Sequence, residues 1–131
     1  MACILVIDDD RLLRGTVELI LKSEGYAVVP ACDGHEGMKR FRSGHFDLVA
    51  CDISMAHGEG LDAIKEMRAL HAGLPIIAFT EDLRTADPEL HAAGRLGGME
   101  TLAKPFRRQE LVALVRQCLH PKSDRNTRLN Q

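Results

Sequence analysis

Ile4-Leu5-Val6-Ile7-Asp8-Asp9-Asp10 joins a short apolar run directly to three carboxylates. The apolar residues are typical of a β-strand buried on both faces, as the strands of a parallel sheet are. Neighbouring like charges cost free energy unless a cation, a proton or a helix N-terminus offsets them. The acids therefore have two interpretations: they cap a following helix, or they form a metal site at the end of the strand.

The rest of the chain alternates short apolar runs with longer amphipathic ones. We predict strands at residues 3–7, 26–31, 46–51, 75–79 and 99–103. Apolar residues recur at helical spacing over residues 11–24, about 35–43, 61–70, about 88–95 and 111–118. Five strand–helix units with short connections imply a parallel sheet that is covered by helices on both faces.

Composition limits the class of protein. A chain of 131 residues suits one domain, which we expect at residues 1–120, followed by a polar, disordered tail at 121–131. A net charge of −2 without a basic tract predicts no nucleic-acid binding, and no apolar run is long enough for a membrane span. Four scattered cysteines and no visible signal peptide predict a reduced, cytoplasmic protein without structural zinc.

Polar side chains follow four of the five predicted strands, at the edge where parallel sheets bind ligands. They are Asp8, Asp9 and Asp10 after the first strand, Asp52 after the third, Thr80 after the fourth and Lys104 after the fifth. Carboxylate oxygens suit Mg²⁺, and a carboxylate beside a metal and a cation can form an aspartyl phosphate. The set therefore predicts metal-assisted phosphoryl transfer.

At these residues the chain resembles the receiver domains of bacterial two-component response regulators, such as the single-domain chemotaxis regulator. The resemblance covers about residues 3–119 and rests on the residues at 4–10, Phe-Asp-Leu-Val-Ala-Cys-Asp-Ile-Ser-Met at 46–55, Pro-Ile-Ile-Ala-Phe-Thr at 75–80 and Lys-Pro-Phe at 104–106. It implies a flavodoxin-like (βα)5 three-layer sandwich, an α/β fold with a parallel five-stranded sheet in the order 2-1-3-4-5.

The resemblance also implies a role for each acid. Asp52 matches the aspartate that accepts a phosphoryl group from a kinase phosphohistidine. Asp8 and Asp9 match the acidic pair that holds Mg²⁺, Asp9 directly and Asp8 through water. Asp52 and the backbone carbonyl of Ser54 complete the implied metal ligands.

Thr80 matches the hydroxyl that moves toward the phosphoryl group, Lys104 the lysine that pairs with it, and Pro105 the proline that often follows a cis peptide bond.

We expect a stand-alone receiver, phosphorylated by a sensor histidine kinase or a histidine phosphotransfer protein. Its output would be a phosphorylation-dependent change in binding to another, unknown protein. Such a protein is not an enzyme, beyond assisting its own phosphorylation and dephosphorylation.

Several residues depart from the family pattern. Ala56 replaces a usual proline, and Thr101 replaces the aromatic residue that usually rotates inward on activation. Glu81 follows Thr80 where a small residue is usual, and it predicts slower phosphorylation than in a Glu81→Ala variant. Arg107 and Arg108 begin the last predicted helix, where cations are unfavourable, and indicate either a partner surface or a solvated face.

Two alternatives stay open at this point. A degenerate receiver would bind proteins without being phosphorylated, as the departures from the family pattern would allow. A haloacid-dehalogenase-type phosphatase would use Asp8 and Asp10 as its Asp-x-Asp opening. That class needs a further acidic pair after Lys104, which the sequence lacks at a strand end, and it leaves Asp52 unexplained.

Overall fold

The structure, a computed structural model, describes residues 1–55, 59–81 and 99–120. Its strands are β1 (Cys3–Ile7), β2 (Ala27–Ala31), β3 (Leu48–Asp52), β4 (Ile76–Thr80) and β5 (Met99–Ala103). Its helices within these ranges are α1 (Arg11–Ser23), α2 (Gly34–Ser43), α3 (Glu59–Leu70) and α4 (Arg108–Leu119). In this described part of the chain, every helix is too short or too polar to cross a membrane.

The five strands form one parallel sheet in the order β2-β1-β3-β4-β5, as predicted. β1 lies between β2 and β3, so the apolar run that opens the sequence is an interior strand. The register sets Ile7 opposite Ala31 and Cys51, and Thr80 opposite Ala103. The carboxyl ends of the strands are therefore aligned along one edge of the sheet.

Alternate residues of β1 supply two separate hydrophobic cores, one on each face of the sheet. Leu5 and Ile7 pack in the cluster that includes side chains of α2 and α3. Ile4 and Val6 pack in the cluster that includes side chains of α1 and α4. All four are fully buried, and each contributes about 1.5–3 kcal/mol to folding. This two-sided burial explains why the run contains no polar residue.

Two local signals set the limits of α1. The Asp10 carboxylate accepts hydrogen bonds from the backbone N–H groups of Leu12 and Leu13, at 3.0 and 3.2 Å. These bonds satisfy donors that have no partner within the helix. Gly25, just beyond the helix, has a φ of 95°, a conformation that favours glycine. Of the three acids, Asp10 is thus the one that caps the helix.

Some boundaries differ from the sequence prediction. β3 begins at Leu48 rather than at residue 46. Just before the strand, the Asp47 side chain accepts a hydrogen bond of 2.8 Å from the backbone N–H of Cys3. β3 also includes Asp52, and α4 begins at Arg108. The helix predicted at 88–95, the tail at 121–131 and Ala56 lie outside the described residues.

Candidate functional site

The aligned strand ends bring together side chains that are far apart in the sequence. Carboxylate oxygens of Asp8, Asp9 and Asp52 lie within 4.8 Å of one another. The Lys104 Nζ lies 3.2 Å from the Asp8 Oδ2 and 3.2 Å from the Asp52 Oδ2. Asp8 and Asp52 are 0% and 2% exposed, so their interactions are weakly screened by solvent. The result is a cluster of three carboxylates with one ammonium group.

The turn between β1 and α1 fixes the backbone around Asp8. Its N–H donates to the carbonyl of Ala31 at 3.1 Å, and its own carbonyl accepts from the Arg14 Nη1 at 2.9 Å. The Asp8 Oδ1 accepts from the backbone N–H of Asp10 at 2.9 Å. These contacts hold the carboxylate toward the cluster.

The second oxygen of Asp8 is an incompletely satisfied buried atom. The Asp8 Oδ2 forms the ion pair with Lys104, but it accepts no hydrogen bond of good geometry from the described residues. Buried polar atoms of this kind are uncommon and call for an explanation. A cation bound among the three carboxylates would satisfy this oxygen.

Burial and charge shift the protonation of the cluster in opposite directions. The pKa of the Asp8 carboxyl is raised, mainly by burial and further by the negative charge of Asp52. The hydrogen bond from the backbone N–H of Asp10 and the positive charge of Lys104 lower this pKa, but only in part. Burial alone would lower the pKa of Lys104, but the charges of Asp52 and Asp8 more than offset this and raise it. Lys104 therefore stays a cation at neutral pH, while the ionised form of Asp8 is less favourable than that of an exposed aspartate.

Asp52 is the last residue of β3, and its backbone is tightly packed. Its Oδ1 accepts a hydrogen bond of 2.8 Å from the backbone N–H of Ser54, and the next N–H, that of Ile53, donates to the carbonyl of Phe79 at 3.0 Å. A Cβ at Gly60 would overlap the Asp52 carbonyl. Glycine is therefore required where α3 approaches the strand. The sequence pattern predicted this helix only from residue 61, whereas α3 begins at Glu59 and includes Gly60.

Lys104 is held in place by its own backbone and by the residues after it. Its N–H donates to the Thr80 carbonyl at 2.7 Å, which continues the pairing of β4 with β5. The Lys104–Pro105 peptide bond is cis, and the Phe106 ring packs on the Phe79 ring with 5.0 Å between centroids. Thr80 is 7% exposed and ends β4 at the same edge.

A groove of about 630 Å³ adjoins the cluster. It is lined by side chains from the start of α1, the end of β4 and the segment after β5: Asp10, Leu12, Leu13, Thr16, Glu81, Lys104, Pro105 and Phe106. Lys104 lines this groove and also pairs with Asp8 and Asp52. Glu81, one of the departures from the family pattern, is exposed at this groove.

Thr101, Arg107 and Arg108 are exposed and do not belong to the metal-binding group of acids. Thr101 is exposed on β5. The sequence left open whether Arg108 belongs to a partner surface or to a solvated face. In the structure its Nη2 donates a hydrogen bond to the Glu24 carboxylate at 2.7 Å, so it forms a contact within the chain. Arg107 precedes α4, and its backbone N–H donates to the Glu110 Oε1 at 2.7 Å. At least one of the two arginines is therefore used within the chain.

Comparison with known proteins agrees with the geometry. The model of the response regulator receiver domain matches residues 4–116. The transcriptional regulatory protein ZraR of Salmonella typhimurium is 36% identical over 105 residues, which cover 79% of this chain and 23% of that protein.

Two solved structures share the fold closely. The Vibrio cholerae chemotaxis protein CheY4 superposes with a TM-score of 0.80 at 29% identity, covering 91% of this chain and 99% of that one. The Thermotoga maritima response regulator TrrA, in complex with Mg²⁺-BeF, superposes with a TM-score of 0.79 at 31% identity, covering 91% and 100%.

The curated relatives are longer than this chain, which spans 23% to 50% of the length of the first matches. The similarity therefore concerns one domain of those proteins, and their whole activities do not transfer directly. The match over residues 4–116, with the parallel sheet and its order, shows that the chain belongs to the family of response regulator receiver domains.

Proposed function

We propose that Asp52 accepts a phosphoryl group and that this domain is a phosphorylation-dependent signalling switch. The observation that carries the proposal is the Lys104 ammonium, which lies 3.2 Å from both Asp8 and Asp52 at the carboxyl edge of the sheet. An acceptor carboxylate needs positive charge nearby, because a phosphoryl group adds negative charge to an already acidic site.

The donor set fits Mg²⁺. The carboxylates of Asp8, Asp9 and Asp52 and the backbone carbonyl of Ser54 would hold it, since hard oxygen ligands suit this ion. The incompletely satisfied Asp8 Oδ2 supports a cation at this position. When bound, the ion would offset the charge of the acids and of the phosphoryl oxygens. The complex of TrrA with Mg²⁺-BeF supports the same ion in this family.

Asp52, Lys104 and Thr80 have different roles in the proposed phosphoryl transfer. A carboxylate oxygen of Asp52 bonds to phosphorus while the bond from phosphorus to the donor nitrogen breaks, and that nitrogen keeps the electron pair and takes a proton. Lys104 pairs with a phosphoryl oxygen, and the Thr80 hydroxyl donates a hydrogen bond to another. Movement of these two groups toward the phosphoryl group would couple the reaction to the surface around β5 and α4.

The natural donor is a sensor histidine kinase or a histidine phosphotransfer protein, and the output is altered binding to a partner protein. The stand-alone architecture and the absence of nucleic-acid binding stay predictions, because ZraR is named as a transcriptional regulatory protein. A degenerate receiver is the alternative. The closeness of Asp8, Asp9, Asp52 and Lys104 favours the phosphoacceptor.

Asp52 also weighs against the haloacid-dehalogenase alternative. It lies within the acidic cluster, where that hypothesis gave it no role. Among the described residues, the metal-binding group of acids comprises Asp8, Asp9 and Asp52, and none of them comes after Lys104.

The intact mass of the protein after incubation with phosphoramidate and Mg²⁺ tests the proposal. We expect one added phosphoryl group in the wild type, and none in an Asp52→Ala variant or when EDTA replaces Mg²⁺. A circular dichroism spectrum shows that the variant is folded. An unmodified but folded wild type, or a variant that is still modified, would contradict the proposal.

A further inference from the structure

The first turn of α3 contacts both the strand that carries the acceptor and the first turn of α2. A Cβ at Gly60 would overlap the Asp52 carbonyl and would lie 3.0 Å from the Ile53 Cα. A Cβ at Gly34, the first residue of α2, would lie 2.7 Å from the Glu59 carbonyl oxygen. Glu59 and Gly60 are the first two residues of α3. Two successive residues therefore link the backbone of α2 to the backbone of Asp52.

These contacts leave the first turn of α3 little freedom to move. Both involve backbone atoms, so rotation of a side chain cannot relieve them. The buried Cys51 thiol also donates a weak hydrogen bond of 3.7 Å to the Gly60 carbonyl. A densely packed interior transmits a displacement instead of absorbing it. A shift of this turn must therefore move the backbone of Asp52 or open a void beside it.

The backbone of Asp52 in turn determines where its carboxylate lies. The Asp52 Oδ1 accepts a hydrogen bond of 2.8 Å from the backbone N–H of Ser54, only two residues further on. The N–H of Ile53, between them, donates to the Phe79 carbonyl at 3.0 Å. This short loop holds the carboxylate by its own backbone, so a displacement of Asp52 changes the hydrogen bond directly.

The first turn of α2 is itself well fixed. The Asp33 Oδ1 caps the helix by accepting a hydrogen bond of 2.7 Å from the backbone N–H of Glu36. One turn further on, a Cβ at Gly37 would lie 2.9 Å from the Ile7 Cγ1. Ile7 is the last residue of β1. The start of α2 therefore rests on β1 through Gly37 and supports α3 through Gly34.

We propose that Gly34 is a positioning residue for the phosphoacceptor: by letting α2 approach α3 closely, it sets the place of the Asp52 carboxylate. It acts through Glu59 and Gly60 and touches neither the metal nor the phosphoryl group. The inference rests on the proposed function of Asp52 and adds a residue from a different helix to it. A purely structural role predicts a loss of stability alone, whereas a positioning role predicts a change at the carboxylate in the folded protein.

The first readout is the amide NMR resonance of Ser54 in the full, metal-free chain, because this amide donates to the Asp52 carboxylate. Gly34→Ala, which adds the overlapping Cβ, should shift this resonance. The amide of Asp10, which donates to the other buried carboxylate of the site at 2.9 Å, is the internal control and should shift less.

The second readout is the affinity for Mg²⁺, measured by calorimetry without a phosphodonor. We expect Gly34→Ala to weaken it about tenfold, a common effect of losing a residue that orients metal ligands. Val115→Ala removes buried methyl groups from the core on the other face of the sheet and controls for a general loss of stability. It should leave both the Ser54 resonance and the Mg²⁺ affinity as in the wild type.

A second pair of variants avoids the added atom. Asp33→Ala removes the cap of α2 together with one charge, whereas Asp33→Asn removes the charge and keeps a good cap. A frayed first turn supports α3 less. Asp33→Ala should therefore shift the Ser54 resonance and weaken Mg²⁺ binding relative to Asp33→Asn. This comparison decides the question if Gly34→Ala does not fold.

A folded Gly34→Ala with the Ser54 resonance and the Mg²⁺ affinity of the wild type overturns the inference. Equal changes in Val115→Ala also overturn it, since general loosening would then explain them. If Gly34→Ala does not fold, identical readouts for the two Asp33 variants overturn it. The amide readout needs neither metal nor phosphodonor, so it separates failure of this inference from failure of Asp52 as the acceptor.

Discussion

At the scale of single residues, the burial of the Asp8 carboxyl disfavours its ionised form. Burial raises its pKa, and Lys104 compensates only in part. We predict that Asp8→Asn raises the free energy of unfolding in metal-free buffer by about 1 kcal/mol, since it removes a buried charge and keeps the shape. Urea unfolding measures this, with Glu100→Gln as an exposed control.

The stability difference between Asp8→Asn and the wild type should depend on pH. An acid whose pKa is raised by folding binds its proton more tightly in the folded state, so its contribution to stability increases as the pH falls through the folded pKa. The advantage of Asp8→Asn should therefore shrink on acidification. Mg²⁺ should stabilise the wild type more than the variant. A variant less stable than wild type at neutral pH without metal would contradict this account.

Gly60 is a second residue whose importance comes from its backbone surroundings. A Cβ there would overlap the Asp52 carbonyl, so Gly60→Ala must push α3 away from β3. We expect it to lower the free energy of unfolding by about 1–3 kcal/mol, the usual cost of overpacking. Gly73→Ala is the matched control, since no atom lies within 4 Å of a Cβ at that position. Equal urea midpoints for the two variants would refute the contact.

At the scale of elements, α1 and α4 are joined by a carboxylate with two arginines. The Glu24 Oε2 accepts from the Arg108 Nη2 at 2.7 Å, and its Oε1 accepts from the Arg116 Nη2 at 2.7 Å. The same Arg108 nitrogen also donates to the Ser23 hydroxyl at 3.0 Å. The contact of Arg108 with Glu24 offsets the cost of a cation at the N-terminus of α4.

We predict that Glu24→Gln lowers the free energy of unfolding by about 1 kcal/mol and that salt reduces the difference, because the arginines are half-exposed or more. Glu18→Gln breaks a pair with Lys22 within α1, and should cost only about 0.3–0.5 kcal/mol. Thermal unfolding at low and high salt compares the two. If Glu18→Gln lowered the free energy of unfolding more than Glu24→Gln, the contact between α1 and α4 would contribute little to stability.

At the scale of the whole molecule, the sequence predicted the parallel sheet because each apolar run is followed by an amphipathic helix. It also predicted which polar residues would meet, because the carboxyl ends of parallel strands share one edge. The strand order came from the family resemblance. Patterns of hydrophobicity could not reveal the contact of Gly60 with Asp52 or the pairing of Glu24 with Arg108. Such contacts depend on how elements pack, and the second joins residues 84 positions apart.

For the candidate site, too, the sequence predicted the residues but not their contacts. Residue types and positions predicted Asp8, Asp9, Asp52, Thr80 and Lys104 as a set. The two 3.2 Å ion pairs and the incompletely satisfied Asp8 oxygen required coordinates. Glu81 was noted in the sequence only as a departure from the family pattern, and coordinates were needed to show that it lines a groove together with Lys104.

The most direct measurement is to identify the phosphorylated residue itself. Borohydride reduces an aspartyl phosphate to homoserine, so the protein phosphorylated with Mg²⁺ is reduced, digested and mapped by peptide mass. We expect homoserine at position 52 in a sample treated with donor, and unchanged aspartate there without donor. Homoserine at position 8 or 9 instead, or a phosphoryl group on a residue that borohydride does not reduce, would contradict the central role of Asp52.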